Sequence, residues 1–419
     1  MINRRRFVQG SVAALAASRL AAPAIAQGAK IKLGYVSPRT GPFAAFAEAD
    51  KFVIDKFVNA EGSDFEVIVK NSESNPSRAN EVARELIVED EINLMLVSST
   101  PETTNPVTTV CENEEIPVLS TVAPWEAWFI GQQSDQSDPT SWTPFNYAYH
   151  FFWGLQDIIA VFTNMWAQLE TNKKVGGLFP NDGDGNAWSG PQGFPPKLEE
   201  LGYELTDPGR YENGVGEFNP RINEFKSEGV DIITGVPIPP DFTVFWNQMK
   251  QNNFTPKAAS IGKAILFPSA VENLGEEGHN LSSEVWWSPS HPFSSSLTGQ
   301  SSRDLAEEYT AVTEKQWTQP IGFAHALFEV AKDAMGRVSD VSDGDAVAAA
   351  LAATQLDTIV GRLAWDGARL PPFGARNVAR TPLVGGQWRH KGGGKYDLVI
   401  VDNKTAPSIP TGGEMEAIR

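Results

Sequence analysis

The strongest constraint on the fold is an alternation of short apolar runs with longer helical stretches, which the chain carries twice. Ile31-Lys32-Leu33-Gly34-Tyr35-Val36 reads as a strand closed by Ser37-Pro38. Residues 43–60 place Phe43, Phe46, Phe52, Val53, Phe57 and Val58 at helical spacing. A strand at Phe65-Glu66-Val67-Ile68-Val69 follows, then a helix capped at Asn75-Pro76 with Val82, Leu86 and Ile87 on one face. Asn93-Leu94-Met95-Leu96-Val97 and Ile116-Pro117-Val118-Leu119-Ser120 complete this array. A second array has strands at residues 174–179, 204–205, 231–235 and 258–262, with helices at 191–201, 218–227 and 241–252. Helices at 303–316, 321–337 and 344–353 follow. Such alternation specifies an α/β protein whose parallel sheets are covered on both faces, here as two lobes. The Ser-, Asp-, Pro- and Gln-rich segment from Gly131 to Asn146 reads as an insertion between them.

Size and charge narrow the function. The 419 residues are 41% apolar and carry a formal net charge of -18. So acidic a chain lacks the basic face that nucleic acid or anionic lipid requires. Cys111 is the only cysteine, which excludes an intrachain disulfide and any cysteine-based metal cluster. It falls in a predicted helix, where a small buried side chain is the plain expectation. Beyond the first 26 residues no stretch reaches the roughly 18 uninterrupted apolar residues of a membrane helix.

The first 26 residues read as an address. Arg4-Arg5-Arg6 precede an apolar run from about Val12 to Ile25, and Ala24-Ile25-Ala26 offers the small-x-small pattern cleaved by a signal peptidase. Arg4-Arg5-Arg6-Phe7-Val8 is similar to a twin-arginine export signal, with Gln9 where Lys is common and Arg19 interrupting the apolar run. No cysteine follows the run, so a lipoprotein anchor is excluded. The expectation is a periplasmic protein cleaved after Ala26, which leaves 30 basic against 52 acidic residues, a net -22.

Three segments then resemble one family. Ile31 through Val36 with Ser37-Pro38-Arg39-Thr40-Gly41-Pro42 is similar to an opening strand and its TGP turn. Val97-Ser98-Ser99-Thr100 pairs with Ile116-Pro117-Val118-Leu119-Ser120-Thr121, and Gly361-Arg362-Leu363-Ala364-Trp365-Asp366 resembles a late crossover segment. In this order they resemble the branched-chain amino acid class of ABC-transporter solute-binding proteins, from about Ile31 to Val401. The resemblance implies two Rossmann-like lobes joined by three crossover strands, with ligand held in the cleft by hinge closure. It implies one lobe from residues 29–150 and about 290–358, another from 151–289 and about 359–405, and a tail over 406–419. The partners implied are a small-molecule solute and the membrane permease of an ABC importer; a monomer without cofactor is expected.

Ser98, Ser99 and Thr100 end one strand before a helix, and Ser120 and Thr121 end the next. Hydroxyls and free N–H groups at a helix start suit a carboxylate, and the family binds its solute's carboxylate at these places; helix capping is the competing role. On the opposite wall, Lys263 stands near the slot where some family members hold an ammonium group with an acid. Facing the cleft, Lys263 would attract an anion; otherwise it is a solvated surface lysine. Trp188, where the family has a stacking aromatic, and Trp125 or Trp128 are the aromatic candidates; core packing explains most of the twelve tryptophans. Trp153, Trp286 and Trp287 lie near the expected crossings. Asp182-Gly183-Asp184-Gly185-Asn186 begins like a calcium loop but has Ala187 and Gly193 where Gly and Glu are needed, so no metal is expected. The five histidines show no zinc spacing and no G-x-S-x-G elbow occurs. These features indicate a binder of a small polar or anionic organic solute rather than an enzyme, with a same-fold sensor, or a periplasmic hydrolase, as the alternatives.

Overall fold

The computed structural model describes residues 30–60, 63–367, 370 and 376–419. The export signal expected over residues 1–26 lies outside the described residues. The first array folds as β1 (Ile31–Ser37), α1 (Asp50–Val58), β2 (Phe65–Asn71), α2 (Pro76–Val88), β3 (Leu94–Ser98), α3 (Pro101–Asn113), β4 (Val118–Thr121), α4 (Trp125–Phe129) and β5 (Ala148–Phe151). Asn75 caps α2 as expected, its side chain accepting from the N–H groups of Ser77 and Arg78 at 2.9 and 3.0 Å. Ala79, Val82, Ala83 and Leu86 bury the inward face, one helical turn apart. β3 and β4 are buried along their whole length, as strands of a covered parallel sheet must be.

The second array continues with α5 (Leu155–Trp166), β6 (Lys174–Leu178), α6 (Gly183–Ser189), α7 (Phe194–Glu200), β7 (Glu204–Thr206), α8 (Asn219–Glu228), β8 (Ile232–Gly235), α9 (Pro239–Gln251), β9 (Ala258–Ile261), α10 (Pro268–Glu272) and β10 (Ser282–Val285). Then come α11 (Ser302–Thr313), α12 (Pro320–Met335), α13 (Gly344–Ala352), β11 (Gln355–Thr358), β12 (Gly361–Ala364), β13 (Val378–Ala379), β14 (Val384–Gly392) and β15 (Lys395–Asp402).

One sheet runs β2-β1-β3-β4-β5-β13, all parallel; the other runs β7-β6-β8-β9-β10-β14-β15, parallel as far as β10. In both, strand order reverses beside the first strand of the array, which opens a crevice at the strand carboxyl ends. The chain passes between sheets after β5, after β10 and after β13. Helix α12, buried around nearly its whole circumference, packs against α1, β3 and β4 of the first sheet.

Two expectations need correction. The segment from Gly131 to Asn146 lies inside the first lobe, because β5 after it still pairs with β4. The last return to the second sheet falls after Ala379 rather than near residue 359: Val378 and Ala379 pair with His150 and Phe151, and β11 and β12 form a hairpin with each other. The β14–β15 hairpin at the second sheet's edge was not read from the sequence; Gly385 and Gly386 break the apolar alternation. A Cβ on Gly385 would lie 2.6 Å from the sulfur of Met165, so glycine there lets α5 sit tight on the sheet.

Candidate functional site

A narrow cavity lies between the lobes, lined from both. The first lobe contributes Phe46, Thr100, Val122 and Pro124; the crossing after β5 contributes Phe152 and Trp153. The second lobe contributes Asp184, Trp188, Val236, Lys263, Leu266, Glu284 and Trp286. Thr100 closes the turn before α3, Asp184 and Trp188 ride on α6, and Lys263 follows β9. Helix α6 also packs on α3 and α4 of the first lobe, which seats one lobe against the other. The rings of Phe46 and Phe267 meet edge to face at 4.9 Å across the same boundary.

Two lining residues hold strained backbone. Val122 and Lys263 have φ of 74° and 59°, in the left-handed region that β-branched and most other side chains avoid. Such strain persists only where surroundings over-determine it, and it clusters at functional sites.

The surroundings of Lys263 are its carboxylates. Its ammonium lies 2.6 Å from Asp184 Oδ2 and 3.4 Å from both Glu102 Oε1 and Asp182 Oδ2, with 3% of the side chain exposed. It also sits 5.6 Å above the Phe43 ring. Burial opposes its charge, yet Asp184, Glu102 and Asp182 together hold its pKa well above the ordinary value. Burial pushes Asp184 up to about 7 against the pull of Lys263, with Glu102 and Asp182 adding to the rise. Burial likewise raises Glu284 to about 7, although its carboxyl accepts from Ser283 Oγ at 2.8 Å. Asp182 stays below its ordinary value: burial is outweighed by Lys263, by the Gly185 N–H it caps at 2.8 Å and by Asn213.

The eight sequence candidates divide. Thr100, Trp188 and Lys263 line the cavity, whereas Ser98, Ser99, Ser120, Thr121 and Trp125 are buried without being among its lining residues. The Ser99 hydroxyl bonds Thr103, Ser120 Oγ meets His150 Nδ1 at 2.8 Å, and Thr121 Oγ1 donates to the Phe151 carbonyl at 2.6 Å. These three hydroxyls are bonded within the fold, whereas the buried Ser98 Oγ has no hydrogen-bond partner in the chain. The backbone N–H of Trp125 donates to the Trp153 carbonyl at 3.1 Å. Trp128 is core, its indole donating to Thr108 and stacked on His150 at 4.7 Å. The expectation that Lys263 offers a free positive charge to an anion is corrected by the three carboxylates around it.

Sequence reasoning missed Asp184, Glu284, Glu102, Phe46 and Phe152, and named Trp153 and Trp286 without choosing them. Asp184 was in view within the Asp-Gly-Asp-Gly-Asn segment. That segment is the capped start of α6, with Asp182 at the N-cap and Asp184 in the first turn.

Five buried polar atoms of lining residues have no hydrogen-bond partner in the chain: Thr100 Oγ1, Asp184 Oδ1 and the indole nitrogens of Trp153, Trp188 and Trp286. Buried polar groups are rarely left unpaired, so a set of them around one cavity marks a place for a molecule that supplies partners. His150, His291 and His325 each pair with a serine and have pKa values lowered by burial to about 3, and none lines this cavity. Among the described residues no three His, Cys, Asp or Glu side chains could hold a metal ion.

A family model described as periplasmic binding protein matches residues 30–383. The chain belongs to that family. Solved structures of the same type I fold surround it at low identity. The leucine binding protein LivK of Thermotoga maritima is similar with a TM-score of 0.72 at 16% identity, over 89% of this chain and 99% of its own. LivJ of Streptococcus pneumoniae, a branched-chain amino acid transporter substrate binding protein in complex with isoleucine, gives 0.69 at 16%, over 89% and 99%. A solute binding protein of an ABC transporter from R. palustris, in complex with 4-hydroxybenzoate, gives 0.70 at 16%, over 89% and 96%. No curated protein matches the chain. Family membership accounts for the two doubly wound sheets and for the cavity between them.

Proposed function

We propose that this family member is exported by its amino-terminal signal, cleaved after Ala26, and captures a small organic solute between its lobes for an ABC importer. The observation that carries the reading is the cavity walled by both lobes, with unpaired polar atoms of Thr100, Asp184 and three tryptophans around it. A solute touching both walls stabilises the closed arrangement because only there are all its contacts made. Trp188, Trp153 and Trp286 enclose its apolar part, Thr100 and Asp184 pair with its polar groups, and Lys263 holds Asp184 in place. Membership of the periplasmic binding protein family supports a binder rather than a catalyst. The solutes held by the similar structures, isoleucine and 4-hydroxybenzoate, place amino acids and aromatic acids among the compounds to be tried.

The test is a thermal-shift screen of the mature chain, residues 27–419, against amino acids, carboxylic acids, amides and amines, followed by native mass spectrometry of each hit. A 1:1 complex lost in Trp188→Ala supports the reading. Hydrolytic activity with no stabilising compound would sink it.

A further inference from the structure

Resting on that reading, we infer that the solute is a small organic cation, an ammonium head carrying compact apolar substituents and a neutral hydrogen-bond acceptor. The fixed charges lead there. Asp184 and Glu284 both line the cavity, and Glu102 and Asp182 each lie 3.4 Å from the ammonium of Lys263, which also lines it. Against these four carboxyl groups the site sets one cation, Lys263, already 2.6 Å from Asp184. An anion entering would meet uncompensated carboxyls where little water screens them, whereas a cation supplies the missing charge. The upward displacement of Asp184 and Glu284 to about 7 is the same imbalance seen from the protein's side.

The walls suit the rest of such a molecule. Trp153, Trp188, Trp286, Phe46 and Phe152 line the cavity, and aromatic faces attract cations most strongly where water is excluded. Asp184 Oδ1 is an unpaired acceptor for an N–H or for the positive charge itself. The three unpaired indole N–H groups call for an acceptor on the solute, and a hydroxyl or carbonyl oxygen provides one without adding negative charge.

The experiment is isothermal titration of the dialysed mature chain, at pH 8, with choline, ethanolamine, acetamide, leucine, benzoate and succinate. Choline or ethanolamine is expected to bind at least tenfold more tightly than every neutral or anionic probe. Glu284→Gln, which keeps the shape of the side chain, is expected to weaken that cation at least tenfold while circular dichroism stays unchanged. Should Glu284→Gln fail to fold, Asp184→Asn provides the same comparison. Tighter binding of benzoate, succinate, leucine or acetamide than of either cation overturns the charge assignment and leaves solute capture standing. Binding of none of the six counts against both.

Discussion

Replacing Lys263 with Met keeps the length of the side chain and removes its charge. In the native protein that charge faces Asp184 at 2.6 Å and Glu102 and Asp182 at 3.4 Å, almost wholly out of water. Removing one member of a buried ion pair costs about 3–5 kcal/mol, because the other is left uncompensated. The variant can recover by holding protons. Asp184 already stands near 7 with Lys263 present, and without the ammonium it moves higher, while in the unfolded chain it titrates near its ordinary value of about 4. The variant's native state therefore binds more protons than its unfolded state across this window, and its stability falls as pH rises through it. Each pH unit is worth about 1.4 kcal/mol per carboxyl. Asp184 of the unmodified protein also keeps its proton below about 7, so at that residue the two proteins diverge only above 7, and the loss is expected to be about 3–5 kcal/mol at pH 8 and smaller by about 1.4 kcal/mol at pH 5. Urea unfolding followed by tryptophan fluorescence at the two pH values measures both. A loss equal at pH 5 and pH 8, or absent at pH 8, would refute the argument that Lys263 neutralises buried carboxylates. The double variant Lys263→Met with Asp184→Asn should regain part of the stability at pH 8.

Other consequences can be checked as directly. Asp50, Glu126, Asp184, Glu284 and Glu329 all have pKa values raised by burial to about 7 or 8. The buried histidines, lowered to about 3, oppose these carboxyls by making stability rise with pH until the unfolded histidines, half protonated at about 6.5, have released their protons. Between pH 6.5 and about 8 the five carboxyls outweigh the protons still to leave the three unfolded histidines, so the solute-free protein should melt at a lower temperature at pH 8 than at 6.5; thermal melts showing the reverse would contradict their burial. Gly185 packs the start of α6 so closely that a Cβ would lie 2.0 Å from the Pro180 carbonyl oxygen. Gly185→Ala is expected to cost about 1–3 kcal/mol by overpacking, and to weaken solute binding because Asp184 and Trp188 move with the helix. Unfolding and titration of that variant would expose the error if neither changed.

Much of the architecture was legible because its signals are local. The two strand–helix arrays, the Asn75 cap and the helix enclosing Cys111 all follow from residues within a few positions of one another. Reading failed where local pattern and tertiary need diverge. Glycines that admit Met165 against β14 erase the alternation that would announce a strand, and the two-residue β13 is too short to show a period.

The sequence by itself determined that this chain builds two parallel sheets with polar groups at their carboxyl ends, since periodicity and burial are written residue by residue. It also put Thr100, Trp188 and Lys263 in view. Which hydroxyls face the cavity, and what Lys263 faces, were decided only by the tertiary structure. Ser120 turns to His150, 30 positions away, and Lys263 meets Glu102 from across 161 positions and Asp182 from across 81. Charge and hydrogen bonding in a buried site depend on distance in space, and the fold alone brings these loops within a few ångströms.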